Sequence, residues 1–155
     1  MFNRLLLAID GSAGADPAVA FTAGLANQYG AHVYVVHVNQ YVVGGRGHTV
    51  ITERESGALV DAAVVQLRAL GLDSFGFARR ATAFNVPQVI ADTACATDAD
   101  AIVMGSNRRQ GLRARFGGGI RERVTRLATV PVLTAPGPLE LPADLWPIRA
   151  VQVRS

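Results

Sequence analysis

Short apolar runs spaced along the chain constrain its fold more than any other feature. Leu5–Ile9, Val33–Val38, Ala101–Met104 and Pro131–Ala135 are nearly uninterrupted by polar residues. A strand with one wet face alternates apolar and polar residues, whereas a strand buried on both faces reads as a continuous apolar run. Between the runs lie segments of helical composition: Pro17–Tyr29, Thr52–Leu70, Pro87–Ala96 and Gly118–Ala128. Asp16 and Pro17 suit a helix start, and Gly30 and Gly71 suit helix ends. Phe75–Ala81 alternates weakly and supplies a fifth strand, third in chain order. Asn39–Thr49, with three glycines, reads as a loop, as does the Arg- and Gly-rich stretch Ser106–Gly117. Alternating strand and helix implies a parallel sheet with helices on both faces, joined by right-handed crossovers. The expected fold class is doubly wound α/β.

At 155 residues the chain is about one domain. Roughly 68–70% of the unfolded surface is buried at this size, so no metal or disulfide is needed to complete the core. One cysteine, Cys95, excludes a disulfide scaffold and reads as a core residue. No apolar stretch approaches a membrane span of about 18 residues. The N-terminus lacks a signal-peptide pattern, so the expected location is cytoplasmic. Past residue 136 the pattern changes: four of the seven prolines fall between Pro136 and Pro147, among scattered leucines and Trp146. The expected organisation is a domain over 1–136 and a Pro-rich extension over 137–155, whose Ala150–Arg154 adds an edge strand or lies on a partner subunit.

The net charge is +3, and all fifteen basic residues are arginine. Seven of the fifteen fall between Arg108 and Arg126, where Glu122 is the only acid. A solvated helix face is the plain reading of such a run. An anion site is the sharper one, because guanidinium forks match phosphate oxygens. Nucleic acid ranks low, since no aromatics are interleaved and no nucleic-acid motif occurs.

Ligands of open α/β sheets bind outside the carboxyl ends of the strands, where strand order reverses. Two strand ends stand out. The first closes in Asp10-Gly11-Ser12. The fourth closes in Met104-Gly105-Ser106 and leads to Gly117-Gly118-Gly119-Ile120 at a helix start. Glycines there let backbone N–H groups approach an anion. Asp10 suits a ribose hydroxyl or a divalent cation. Each feature has a plain counterpart, as turn geometry or a helix cap.

Five pieces, in order and spacing, resemble the universal stress protein family across Arg4–Ala135: Leu6–Ser12, Val35–Val38, Asp100–Ser106, Gly118–Val124 and Val130–Leu133. The resemblance implies a five-stranded parallel sheet in the order 3-2-1-4-5, of the adenine-nucleotide alpha hydrolase-like kind, and a homodimer through the last strand. It also implies a stress-response module binding ATP with Mg²⁺. The nucleotide site it implies comprises Ala8, Ile9, Asp10, Val38, Met104, Gly105, Arg108, Gly111, Gly118, Gly119 and Ile120. Asp10 would stand near the ribose and metal, and the Val38 backbone would meet the adenine. Nucleotide-binding members share a pattern of Gly, two residues, Gly, nine residues, Gly, then Ser or Thr. Gly105 and Gly118 match it; Arg108 and Gly119 depart from it. Arg108 either blocks a close backbone approach or places a charged fork on phosphate. Gly119 forgoes a hydroxyl hydrogen bond of about 0.5–1.5 kcal/mol but keeps its N–H. The balance favours nucleotide binding, with Arg108, Arg109 and Arg113 neutralising phosphates. The alternative is a family member that binds no nucleotide and acts through dimerisation.

Other residues point to nothing further. Ser12 reads as a cap or turn residue, His32 and His37 as packed histidines, His48 as a solvated loop residue, and Asp98 and Asp100 as turn residues. There is no Walker loop and no lysine to complete one. No residue reads as a general base for an attacking water, so the expectation is a binding module and not an enzyme.

Overall fold

The computed structural model describes residues 1–11, 17–41, 51–106 and 119–137. Five parallel strands form the sheet: β1 (Arg4–Ile9), β2 (His32–Tyr41), β3 (Ser74–Thr82), β4 (Ala101–Gly105) and β5 (Val132–Ala135). Their order is β3-β2-β1-β4-β5. The helices are α1 (Pro17–Tyr29), α2 (Glu53–Ala69), α3 (Val86–Ala96) and α4 (Ile120–Leu127). The continuous apolar runs occupy the sheet's centre, where Leu5, Leu6, Leu7, Val33, Val35, Ile102 and Val103 are wholly buried.

Strand periodicity divides that core in two. Leu5, Leu7, Val33, Val35 and Val103 pack against α1 and α2. Leu6, Ala8, Val36, Val38 and Ile102 pack against Val86, Ile90 and Ala94 of α3 and Val124 of α4. The sheet is therefore wound on both faces, as the apolar runs imply.

Helix ends follow local chemistry. Thr52 caps α2 in a full capping box: its hydroxyl accepts from the Glu55 N–H at 3.2 Å, and the Thr52 N–H donates to the Glu55 carboxylate at 2.7 Å. Gly30 and Gly71, just past α1 and α2, both have positive φ. Under α2 the edge strand carries Gly76, where a Cβ would overlap Val60 Cγ1. Only a glycine lets helix and strand approach this closely.

Two readings of β2 and α3 need correction. Asn39–Tyr41 is not loop but the end of β2, paired with Arg80–Thr82 of β3. Two polar residues hid this strand; Asn39 is buried, and its Nδ2 donates to the Ile51 carbonyl at 2.7 Å. Cys95 is exposed, not core. The buried stripe of α3 runs through Val86, Ile90, Ala91 and Ala94, and Cys95 falls off it. The readings of Ser12, Asp16, His48 and the extension beyond Gly137 lie outside the described residues.

Candidate functional site

The chain leaves β1 toward α1 and β2 on one side of the sheet, and leaves β4 toward β5 on the other. The switch in strand order thus falls between β1 and β4. There Ala8 pairs with Met104. β1 stops at Ile9, opposite His37, while β2 continues through Val38 to Tyr41. Val38–Tyr41 therefore pairs with β3 on one side and, past the Val38 N–H that the Ile9–His37 register turns to Ile9, has no β1 partner on the other. In a parallel sheet, backbone groups of alternate residues face alternate neighbours. The β2 overhang accordingly turns strand-type donors and acceptors toward the space past the tip of β1.

The α3/α4 side of this space is apolar: Ala8 and Val38 are buried there, with Met104 and Ile120 packed against the same cluster. Gly119 is the N-cap of α4, extended at φ −66° and ψ 166°, with no side-chain cap bond. An N-terminus capped this way keeps early N–H groups for another acceptor. Arg123 donates to the Phe84 carbonyl and lies over the Phe84 ring, tying α4 to the turn before α3.

Asp10 is exposed beyond β1, and Gly11 follows with φ +77°. His37, at 6% exposure, bonds through Nδ1 to Ser56 Oγ of α2 at 2.7 Å. Burial pulls the His37 pKa below the ordinary imidazole value, and the nearby Asp10 carboxylate pushes it back up. Asn39 keeps a buried Oδ1 with no hydrogen-bond partner among the described residues. A cavity of about 360 Å³ lies beside it, lined by Glu53, Ser56, Arg79 and Arg80 among others.

Of the expected site residues, Ala8, Ile9, Asp10, Val38, Met104, Gly105, Gly119 and Ile120 lie on the strand ends and helix start described above. Arg108, Gly111 and Gly118 lie outside the described residues, as do Arg109 and Arg113. Sequence reasoning missed Ser56, a buried hydroxyl nineteen residues from the histidine it contacts. Its polarity at a buried helix position was the available signal. His32 is not packed; it is exposed and bonds Asp73 at 2.9 Å. Asp100 is more than a turn residue, because its carboxylate accepts from the backbone N–H groups of Asn3 at 2.6 Å and Arg4 at 2.9 Å. Those bonds hold its pKa below the usual carboxylate value. Among the described residues no group of three or more His, Cys, Asp or Glu side chains could hold a metal, and no helix is long and apolar enough to cross a membrane.

A doubly wound sheet whose strand order switches between β1 and β4 defines the class of α/β nucleotide-binding folds. Within that class the chain belongs to the universal stress protein family, whose sequence model matches residues 1–136. A universal stress protein from Archaeoglobus fulgidus, solved in complex with dAMP, is 26% identical with a TM-score of 0.66; the match covers 86% of this chain and 98% of that one. A universal stress protein in complex with cAMP shares the fold at 17% identity and TM-score 0.68, over 86% and 95% of the two chains. An Arabidopsis thaliana family protein with AMP bound shares it at 16% identity and TM-score 0.63, over 92% and 97%. No curated protein matches the chain.

Proposed function

We propose that this domain binds an adenine nucleotide, ATP with Mg²⁺, at the carboxyl ends of β1 and β4, and acts as a stress-response sensor or signalling homodimer. The observation that carries the reading is the overhang of β2 past β1. A strand edge with donors and acceptors suits the edge of adenine, and Val38 is its first residue. Ala8, Val38, Met104 and Ile120 offer apolar surface to the base. The Gly119 end of α4 suits phosphate, with Gly105, Gly111, Gly118 and Arg108 completing the site. Asp10 would take a ribose hydroxyl and the Mg²⁺ that arrives with the phosphates; Mg²⁺ commonly uses one or two carboxylates plus phosphate oxygens and water. The Archaeoglobus relative's complex with dAMP supports the nucleotide class.

The reading makes the domain a binder and not an enzyme, placed in the cytoplasm, with residues 137–155 as an extension outside it. Among the described residues β5 lies at the sheet edge, and a second copy pairing there would cover that edge. Calorimetric titration of MgATP into nucleotide-stripped protein tests the proposal. Saturable heat is expected, with affinity weakened roughly tenfold or more in Asp10→Ala, as for loss of a hydrogen bond to a charged group. Absence of heat and of any melting shift overturns it. A second reading, a member that binds no nucleotide and acts through dimerisation, is favoured by the two departures from the binders' glycine pattern, Arg108 and Gly119. Nucleotide co-purifying with the protein would exclude that reading.

A further inference from the structure

The tip of β1 rests on a buried polar pair that the nucleotide reading leaves unused. Gly11 turns the chain with φ +77°, in the left-handed region that favours glycine. A Cβ at Gly11 would lie 2.9 Å from Leu59 Cδ1 and 3.4 Å from His37 Nε2. The turn is thus backed by one edge of the His37 ring and by a side chain of α2. The opposite edge of that ring is held by Ser56 Oγ, also of α2, at 2.7 Å. Both partners are almost fully buried, so the bond does not compete with water. Burial favours the neutral ring, in which either Ser56 donates to Nδ1 and Nε2 carries the proton, or the reverse. In both arrangements Ser56 fixes the ring plane, and the ring plane fixes how closely Gly11 can approach.

We infer that His37, anchored by Ser56, is a positioning residue that sets the Asp10 carboxylate at the tip of β1. α2 and β2 hold the ring, the ring holds Gly11, and Gly11 places Asp10. This rests on the nucleotide reading only for its consequence: a correctly placed Asp10 distinguishes a ribose from a sugar without hydroxyls. His37 itself touches no ligand.

The test compares ATP with 2′,3′-dideoxy-ATP, each with Mg²⁺, by calorimetry on wild type, Ser56→Ala, His37→Phe and His37→Asn. Wild type should prefer ATP by roughly tenfold or more, the scale of one hydrogen bond to a charged group. Ser56→Ala and His37→Phe should lower that ratio at least several-fold. His37→Asn, which retains a polar group near the Nδ1 position, should restore part of it. General loosening of the fold would weaken both nucleotides alike and leave the ratio at its wild-type value; that result overturns the inference. Ser56→Ala removes one oxygen, so the comparison stands even if His37→Phe does not fold. The ¹³C resonance of the Asp10 carboxyl gives a reading without nucleotide. It should move in Ser56→Ala, and an unmoved resonance also overturns the inference. If wild type binds neither nucleotide, the functional reading fails, and the carboxyl resonance still decides the role of His37.

Discussion

The two ends of the sheet are built differently. At the amino ends of the strands, side chains stitch neighbouring segments together. Asp100 accepts from the Asn3 and Arg4 N–H groups, Arg4 reaches Asp98 at 3.4 Å, His32 pairs with Asp73, and Arg68 donates twice to the Ser74 carbonyl. At the carboxyl ends the strands stop at unequal heights, and Gly11, Gly105 and Gly119 stand where side chains would otherwise lie. One end is arranged to hold strands in register. The other leaves backbone groups and space for something else. Stability and binding should therefore separate under mutation.

Truncation in the shared core should affect both ends. Leu6→Ala, at a wholly buried central position, should cost about 2–5 kcal/mol in urea unfolding. A cost under about 1 kcal/mol would mean that this face of the sheet is not close-packed. Gly76→Ala should cost about 1–3 kcal/mol, because α2 must move off β3 to admit the methyl group. Neutral behaviour would show that Val60 yields freely.

Asp100→Asn comes next, on the order of 1 kcal/mol after allowance for solvent screening of a partly exposed group. It sharpens the comparison through pH. The folded state depresses the Asp100 pKa, so its contribution is present above the unfolded value and is lost as pH falls through the folded one. His37 acts earlier on the same descent. Its folded pKa is also depressed, so the unfolded chain takes up a proton first and stability begins to fall in the ordinary imidazole range. Asp100→Asn should flatten the acid limb of the stability curve and leave the limb near neutrality unchanged. Asp10→Ala should have the smallest effect on stability, within about 0.5 kcal/mol, as expected for an exposed position. A large loss of stability there would make the carboxyl end a structural end too, and the contrast would fail.

Helix placement and the two-sided core were legible because continuous apolar runs have few other uses in a chain this short, whereas the strand order came from the family resemblance. Polar residues placed inside elements were harder to read. Asn39 and Gln40 look like loop residues, and the carbonyl that satisfies Asn39, at Ile51, could not be foreseen. Cys95 was misjudged because one residue of phase decides whether a helical position faces the core. At the site, Asp10, Val38, Met104, Gly105 and Gly119 could be picked out by family resemblance and by their place at strand ends. The His37–Ser56 pair could not, because it joins a strand to a helix that only the fold brings together.

The unequal lengths of β1 and β2 should leave a record in amide hydrogen exchange. Along Val38–Tyr41, amides turned toward β3 belong to a paired ladder and should exchange slowly. Past the last β1 pair, Ile9–His37, those turned toward the β1 side, as at Gln40, have no strand to shelter them and should exchange faster, giving protection that alternates residue by residue. A bound base lying along that edge would stand in for the missing strand, slowing the fast set and leaving the slow set as it was. The overhang thus supplies an isotope footprint of occupancy.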